Sequence, residues 1–99
     1  MEDTSTTFLK ACAVLEGAVT DLLSGPWEET SRCYAYEMAV ALRHAAHDAG
    51  WWTAESELRA IESLLGLTAH EALQIRAAVA ARLVEYLGLL KKAPLSRSA

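Results

Sequence analysis

The side chains best suited to chemistry lie along one face of a predicted helix. Cys33, Glu37, His44 and His47 recur at helical spacing, and thiolate, carboxylate and imidazole groups all bind metal ions. One face supplies at most two good ligands to a single ion, because Glu37 and His44 are two turns apart. The Glu-x-x-His pairs of di-iron bundles are absent from the sequence. The pattern therefore favours a half-solvated edge of a bundle without a cofactor, and a metal site on Glu37, His44 and His47 is the alternative.

Nucleic-acid chemistry has weak support in the sequence. Arg43 and His47 lie one turn apart, which suggests RNA cleavage, but they are closer in sequence than the Arg and His of helical nucleases. A recognition helix starting at Ala69 would carry Glu71 and no Lys or Arg in its first turn. The formal net charge is −4, whereas phosphate binding requires a basic face. We expect no nucleic-acid partner.

The two cysteines fall on neighbouring predicted helices joined at Gly25 and Pro26. If those helices are antiparallel, Cys12 and Cys33 are offset by roughly 9 Å along the axis. A disulfide requires Cα atoms within about 7 Å, so no intrachain bridge is expected. Two reduced thiols, no apolar stretch of about 20 residues and no secretion signal predict a cytoplasmic protein without a membrane span.

Apolar periodicity and turn residues divide the chain into four helices. The first covers residues 4–24 and carries a coiled-coil-like seam formed by Phe8, Cys12, Leu15, Val19 and Leu22. Gly25 is placed for a left-handed C-cap and Pro26 for the first turn of a second helix over residues 26–49, which ends at Gly50. The expected apolar face of this second helix comprises Trp27, Tyr34, Ala35, Met38, Ala41, Leu42, Ala45 and Ala49.

The third helix is predicted to begin after Thr53, as its N-cap, and to end at Gly66. Its buried stripe is Leu58, Ile61, Leu64 and Leu65. A capping-box pattern over residues 68–71 starts the fourth helix, which runs to about Lys92. We therefore predict an all-α fold, an up-and-down four-helix bundle with a short third helix.

The length of the chain fits one domain. Its 99 residues are enough to bury a single core and too few for two. Residues 1–93 are predicted to form this helical-bundle domain, and residues 94–99 a short polar tail.

Unequal helix lengths draw attention to the end of the fourth helix. Helices 1, 2 and 4 should span about 30–36 Å and helix 3 about 20 Å, so helix 4 would overshoot its neighbours by about 15 Å. The overhanging residues 83–90 are apolar on nearly every side, and such a helix requires burial all round. We expect a two-fold homodimer through Leu83, Tyr86, Leu87 and Leu90. The alternatives are that helix 4 tilts or that helix 1 covers the segment.

Two further features point to partners. Trp51 and Trp52 lie at the corner between helices 2 and 3, where they either close the core or form a binding hot spot. Acidic residues dominate the first third of the chain. They either complement helix dipoles or form a patch for a basic protein partner.

The sequence contains no Ser-His-Asp spacing, glycine-rich phosphate loop or Cys-x-x-Cys pair. We therefore interpret it as a non-enzymatic interaction module: a small acidic adaptor, chaperone or immunity-type protein that binds another protein. The expected contacts are Trp51, Trp52 and residues 83–90. The alternative is a metal-binding or RNA-cleaving enzyme centred on Glu37, Arg43, His44 and His47.

Overall fold

The computed structural model describes residues 4–66 and 69–95, with side chains from residue 75 onward in the second range. The chain forms four helices, which are α1 (Thr4–Ser24), α2 (Glu29–Ala49), α3 (Trp52–Leu65) and α4 (Ala69–Lys92). They pack as an all-α four-helix bundle with a short third helix, which confirms the predicted fold class. The predicted capping box over residues 68–71 lies outside the described side chains.

The turn between α1 and α2 is longer than predicted. α2 begins at Glu29 and not at Pro26, because Glu28 is extended, with φ −82° and ψ 139°. The Glu28 amide instead donates to the carbonyl of Pro26 at 2.8 Å. Trp27 is buried beneath this turn at 8% exposure, so burial of the large indole outweighs the helix-starting preference of the proline.

Two predicted helix caps are wrong. α3 already begins at Trp52, which places Thr53 inside the first turn, where it cannot act as the N-cap. Among the described residues only Gly50 adopts a left-handed backbone conformation, with φ 77°, so Gly25 does not provide the expected left-handed cap. Gly50 does end α2 as predicted, and its amide donates to the carbonyls of Ala46 and His47.

The core is built from one stripe of each helix. The predicted seam of α1 is confirmed, with Phe8, Cys12, Leu15, Val19 and Leu22 all buried. On α3, Leu58, Ile61 and Leu65 are buried and Leu64 is partly buried. Both stripes follow the 3.6-residue period, so periodicity alone locates them.

The buried face of α2 is rotated from the predicted one. Its buried residues are Ala35, Ala39, Leu42 and Ala46. Ala41 and Ala45 are exposed, and Tyr34 is 57% exposed. Because alanines occupy several faces of this helix, their apolarity does not decide which face packs inward. The larger residues of α1 and α3 decide it.

The prediction that residues 83–90 overhang the bundle is wrong. Arg76 Nη2, about two turns into α4, donates to the carbonyl of Gly25 at the end of α1. The extra residues of α4 therefore precede Arg76 and do not project from the far end. A break in helical geometry at Ile75, with φ −119° and ψ 18°, falls immediately before this contact.

The apolar segment is consequently covered within one chain. Leu83, Leu87 and Leu90 are buried at 0%, 7% and 3% exposure, and Tyr86 is partly buried. These buried leucines are not a free association surface, which corrects the expected dimer contact. Leu95 also packs against the core, so the predicted polar tail is not wholly solvated. The last residues, 96–99, lie outside the described range.

A second arginine satisfies the end of α3. Arg32 Nη1 donates to the carbonyl of Leu65 at 2.5 Å, and the Arg32 guanidinium also pairs with Glu29 in the first turn of α2. Helix ends leave carbonyls without partners, so this contact replaces hydrogen bonds to water. The hydrogen bond from Arg32 lowers the pKa of the Glu29 carboxyl.

Substitution of Leu83 tests the packing of α4. We expect Leu83→Ala to lower the free energy of unfolding by about 2–5 kcal/mol, because it leaves a cavity in the core. Val84→Ala is the matched control: Val84 is 63% exposed, so its loss should change stability by no more than about 0.5 kcal/mol. Urea unfolding of both variants makes the comparison, and equal effects would contradict the register of α4.

Candidate protein-binding surface

The polar residues predicted on α2 do not converge on one point. Glu37 and His44 are exposed, whereas His47 faces α3, where its Nδ1 lies 3.2 Å from Glu55 Oε1. No group of three or more metal-binding side chains occurs in the part of the chain that the structure describes. The metal alternative therefore has no assembled set of ligands among Glu37, His44 and His47.

Arg43 is engaged in holding two helices together. Its Nε donates to Glu62 Oε2 on α3, and both side chains are less than one-fifth exposed. Arg43 and His47 thus each contact an α3 carboxylate. Their geometry explains α2–α3 packing and does not direct the two groups toward a shared substrate position.

Glu55 is the buried carboxylate of this α2–α3 network. It is 8% exposed and accepts a 2.8 Å hydrogen bond from Arg59 Nη2 in addition to its contact with His47. Burial raises the pKa of Glu55, but the hydrogen bonds with Arg59 and His47 lower it by more. The net pKa therefore lies below the ordinary value of 4.5.

The two adjacent tryptophans have different environments. Trp51 is 8% exposed and packs edge-on against Phe8 with ring centroids 5.0 Å apart. Trp52 is 45% exposed and lies edge-on to the His47 ring at 5.6 Å. Trp51 closes the end of the core, so it cannot be a surface contact, which corrects that expectation. Trp52 remains a predicted contact residue.

The junction between α1 and α4 is the loosest of those between adjacent helices in the described range. It leaves an apolar cleft of about 250 Å³, here called the α1/α4 cleft, whose apolar lining is Leu9, Cys12, Ala13, Leu87 and Leu90. Lys91 Nζ bridges the cleft to Glu16 Oε2 at 2.7 Å. Burial raises the pKa of the Cys12 thiol to about 11.

A second apolar surface lies outside the core along α1 and α2. This α1/α2 face consists of exposed Val14 and half-buried Ala18 on α1, and of exposed Tyr34, Ala41 and Ala45 on α2. Val14 is 54% and Tyr34 57% exposed. A groove of about 330 Å³ separates the two helices at Ala18 and Tyr34. Because the helices are antiparallel, Val14 and Ala41 extend the same face away from the turn.

Acidic side chains border the α1/α2 face. Asp21 lines its groove, and Glu37 and Asp48 are exposed on the outer side of α2. Lys10 lies on the α1 side near the opposite end. The border is therefore mainly negative, and it surrounds a strip of small apolar residues with one large aromatic ring.

The sequence prediction missed this surface because it assigned Tyr34, Ala41 and Ala45 to the core. One feature of the sequence indicates such a surface: α2 has more apolar positions than one buried stripe requires.

Comparisons add no functional evidence. No protein-family model, curated protein or solved structure matches the chain. Within the described residues, no helix combines the length and apolar character needed to cross a bilayer.

Thiol labelling tests the environments of the two cysteines, both of which are free. We expect a maleimide at neutral pH to modify Cys33 quickly and Cys12 slowly, because Cys12 is buried and holds little thiolate. Mass spectrometry should show one fast addition, which Cys33→Ser abolishes. Rapid double labelling of the folded protein would contradict the burial of Cys12.

The lowered pKa of Glu55 predicts how stability depends on pH. A carboxyl whose pKa is lower in the folded than in the unfolded state stabilises the fold. This stabilisation is complete at pH values above the unfolded-state pKa, and it is lost as the pH falls through the folded-state pKa. We therefore expect wild type to exceed Glu55→Gln in stability at neutral pH, with the difference shrinking below about pH 4.5. Glu37→Gln, at an exposed position, is the control. Urea unfolding at a series of pH values measures both, and a constant difference would oppose this account.

Proposed function

We propose that this chain is a non-enzymatic protein-binding module that holds a basic amphipathic helix of a partner protein against its α1/α2 face. One observation carries the proposal: exposed apolar residues of α2 lie outside the core, beside exposed Val14 and half-buried Ala18 of α1 and within an acidic border. Contiguous apolar surface rimmed by polar residues marks interaction sites on small proteins.

The shape of the α1/α2 face fits a helix. Two antiparallel helices form a groove, and the alanines at Ala18, Ala41 and Ala45 allow a third helix to approach closely. Tyr34 supplies a large ring at the end of the groove near the α1–α2 turn. Helix-in-groove recognition uses apolar anchors of this kind at i, i+3, i+4 and i+7 of the bound helix.

The negative charge of the border favours a partner helix that carries positive charge. Asp21, Glu37 and Asp48 would lie beside the flanks of a docked helix, and the chain as a whole carries −4. Lysines or arginines on the partner's flanks complement this border, which raises the association rate and orients the complex. Two free thiols suit a cytoplasmic setting for this binding.

The enzymatic alternative has less support. His47 contacts Glu55, and Arg43 pairs with Glu62, so both face structural partners on α3. Elemental analysis of the purified protein tests the metal version of this alternative directly.

Binding of designed peptides tests the proposal. The probe is a fluorescein-labelled helical peptide with leucines along one face and lysines on both flanks, and the matched peptide carries glutamates in place of lysines. We expect the lysine peptide alone to bind, with salt-sensitive affinity. Tyr34→Ala should weaken this binding about tenfold or more, because it removes the one large aromatic anchor of the face. Fluorescence anisotropy gives both affinities.

Two control variants complete the experiment. Val84→Ala removes a similarly exposed apolar residue from a different face and should leave peptide affinity unchanged. The double variant His44→Ala/His47→Ala should also bind normally. Equal binding of the glutamate peptide, or normal binding by a folded Tyr34→Ala variant, would overturn the proposal.

A further inference from the structure

The exposed side of α4 carries a second, self-complementary surface. Glu85, Gly88, Leu89 and Lys92 stand at i, i+3, i+4 and i+7, so they share one face of the helix. The buried residues Leu83, Leu87 and Leu90 occupy the opposite face. We call these four positions the outer stripe of α4: Glu85, Leu89 and Lys92 are exposed, and Gly88 is half-buried at the edge of a groove beside α1.

A two-fold rotation about an axis perpendicular to α4 places the outer stripe of one copy against the same stripe of a second copy. A two-fold axis between Gly88 and Leu89 places each Glu85 opposite the partner's Lys92, and each Leu89 opposite the partner's Gly88. We propose that this stripe binds a second copy of the chain, with the two α4 helices antiparallel. This surface is separate from the α1/α2 face of the proposed function.

The centre of the stripe has complementary shapes. Leu89 is 44% exposed, so burial of its side chain against a partner would be favourable. At Gly88 an added Cβ would meet no atom within 4 Å, so the space above its backbone is open. In the antiparallel pair, Leu89 of each copy fills that space and the two backbones approach closely.

The charges at the two ends of the stripe are also complementary. Glu85 and Lys92 carry opposite signs at equal distances from the centre, so the symmetric pair contains two identical ion pairs. A parallel arrangement would instead oppose like charges. The intrachain pair between Arg82 and Glu85, at 3.5 Å and largely exposed, is weak enough for Glu85 to turn to a partner.

The expected dimer is weak. One pair of helices buries less surface than the roughly 1,200 Å² of a standard stable interface. Association should therefore be measured from micromolar to millimolar protein concentration, at low salt, by sedimentation equilibrium of the full chain.

Charge reversal is the decisive test. Glu85→Lys and Lys92→Glu should each weaken the dimer about tenfold, because each turns two attractive pairs into two repulsive ones. The double variant Glu85→Lys/Lys92→Glu restores opposite charges and should return the dissociation constant to within about threefold of wild type. Rescue by the double variant excludes a general loss of folding.

Glycine substitution provides a second measurement. Gly88→Ala should raise the thermal midpoint, because alanine favours the helix, and should weaken the dimer by filling the central space. Gly17→Ala is the matched control on α1, where an added Cβ also meets open space, and it should raise the midpoint without changing association.

Three outcomes would overturn the dimer: a monomeric wild type up to millimolar concentration, single charge variants that associate normally, or a double variant that is not rescued. None of these results affects binding of the lysine peptide to the α1/α2 face. Sedimentation of the α4 variants therefore tests the dimer, and peptide binding tests the proposed function, so that either can fail without the other.

Discussion

The axial position of α4 is fixed by its contacts with α1, which are the Lys91–Glu16 ion pair and, at the other end, the donation from Arg76 to the carbonyls that end α1. The Arg76 contact satisfies backbone groups that a helix terminus leaves without partners. Together the two contacts align the helices, so that the surplus length of α4 falls before Ile75. With α4 in this position, the helical period places Leu83, Leu87 and Leu90 against the core and leaves Val84 and Leu89 exposed.

Every helix in a bundle of this size can bury only one stripe, and the remaining apolar residues stay outside. α2 and α4 both carry more apolar positions than one stripe holds. On α2 the excess forms the α1/α2 face with its acidic border, and on α4 it leaves Leu89 and Val84 in solvent. Both interaction surfaces proposed here are the unburied faces of helices whose other faces build the core.

The sequence predicts much of the fold and little of the site. The large residues of α1 repeat with a clear period, so Phe8 and Leu15 are correctly assigned to the core. On α2 the choice between Ala41 and Ala39 depends on neighbours distant in sequence, which a local pattern does not contain. The register of α4 is set by contacts between residues distant in sequence, such as Arg76 with the Gly25 carbonyl and Lys91 with Glu16, so helix lengths alone led to a false overhang.

The unequal tightness of the helix junctions also bears on folding. α2 and α3 pack most closely, are adjacent in sequence and are joined by the Arg43–Glu62 ion pair and the His47–Glu55 contact, whereas the α1–α4 junction is the loosest between neighbouring helices in the described range. Contacts between sequence neighbours close short loops and cost little entropy. We therefore expect the α2–α3 hairpin to form the folding nucleus, and the α1–α4 junction to open before the α2–α3 junction in local fluctuations.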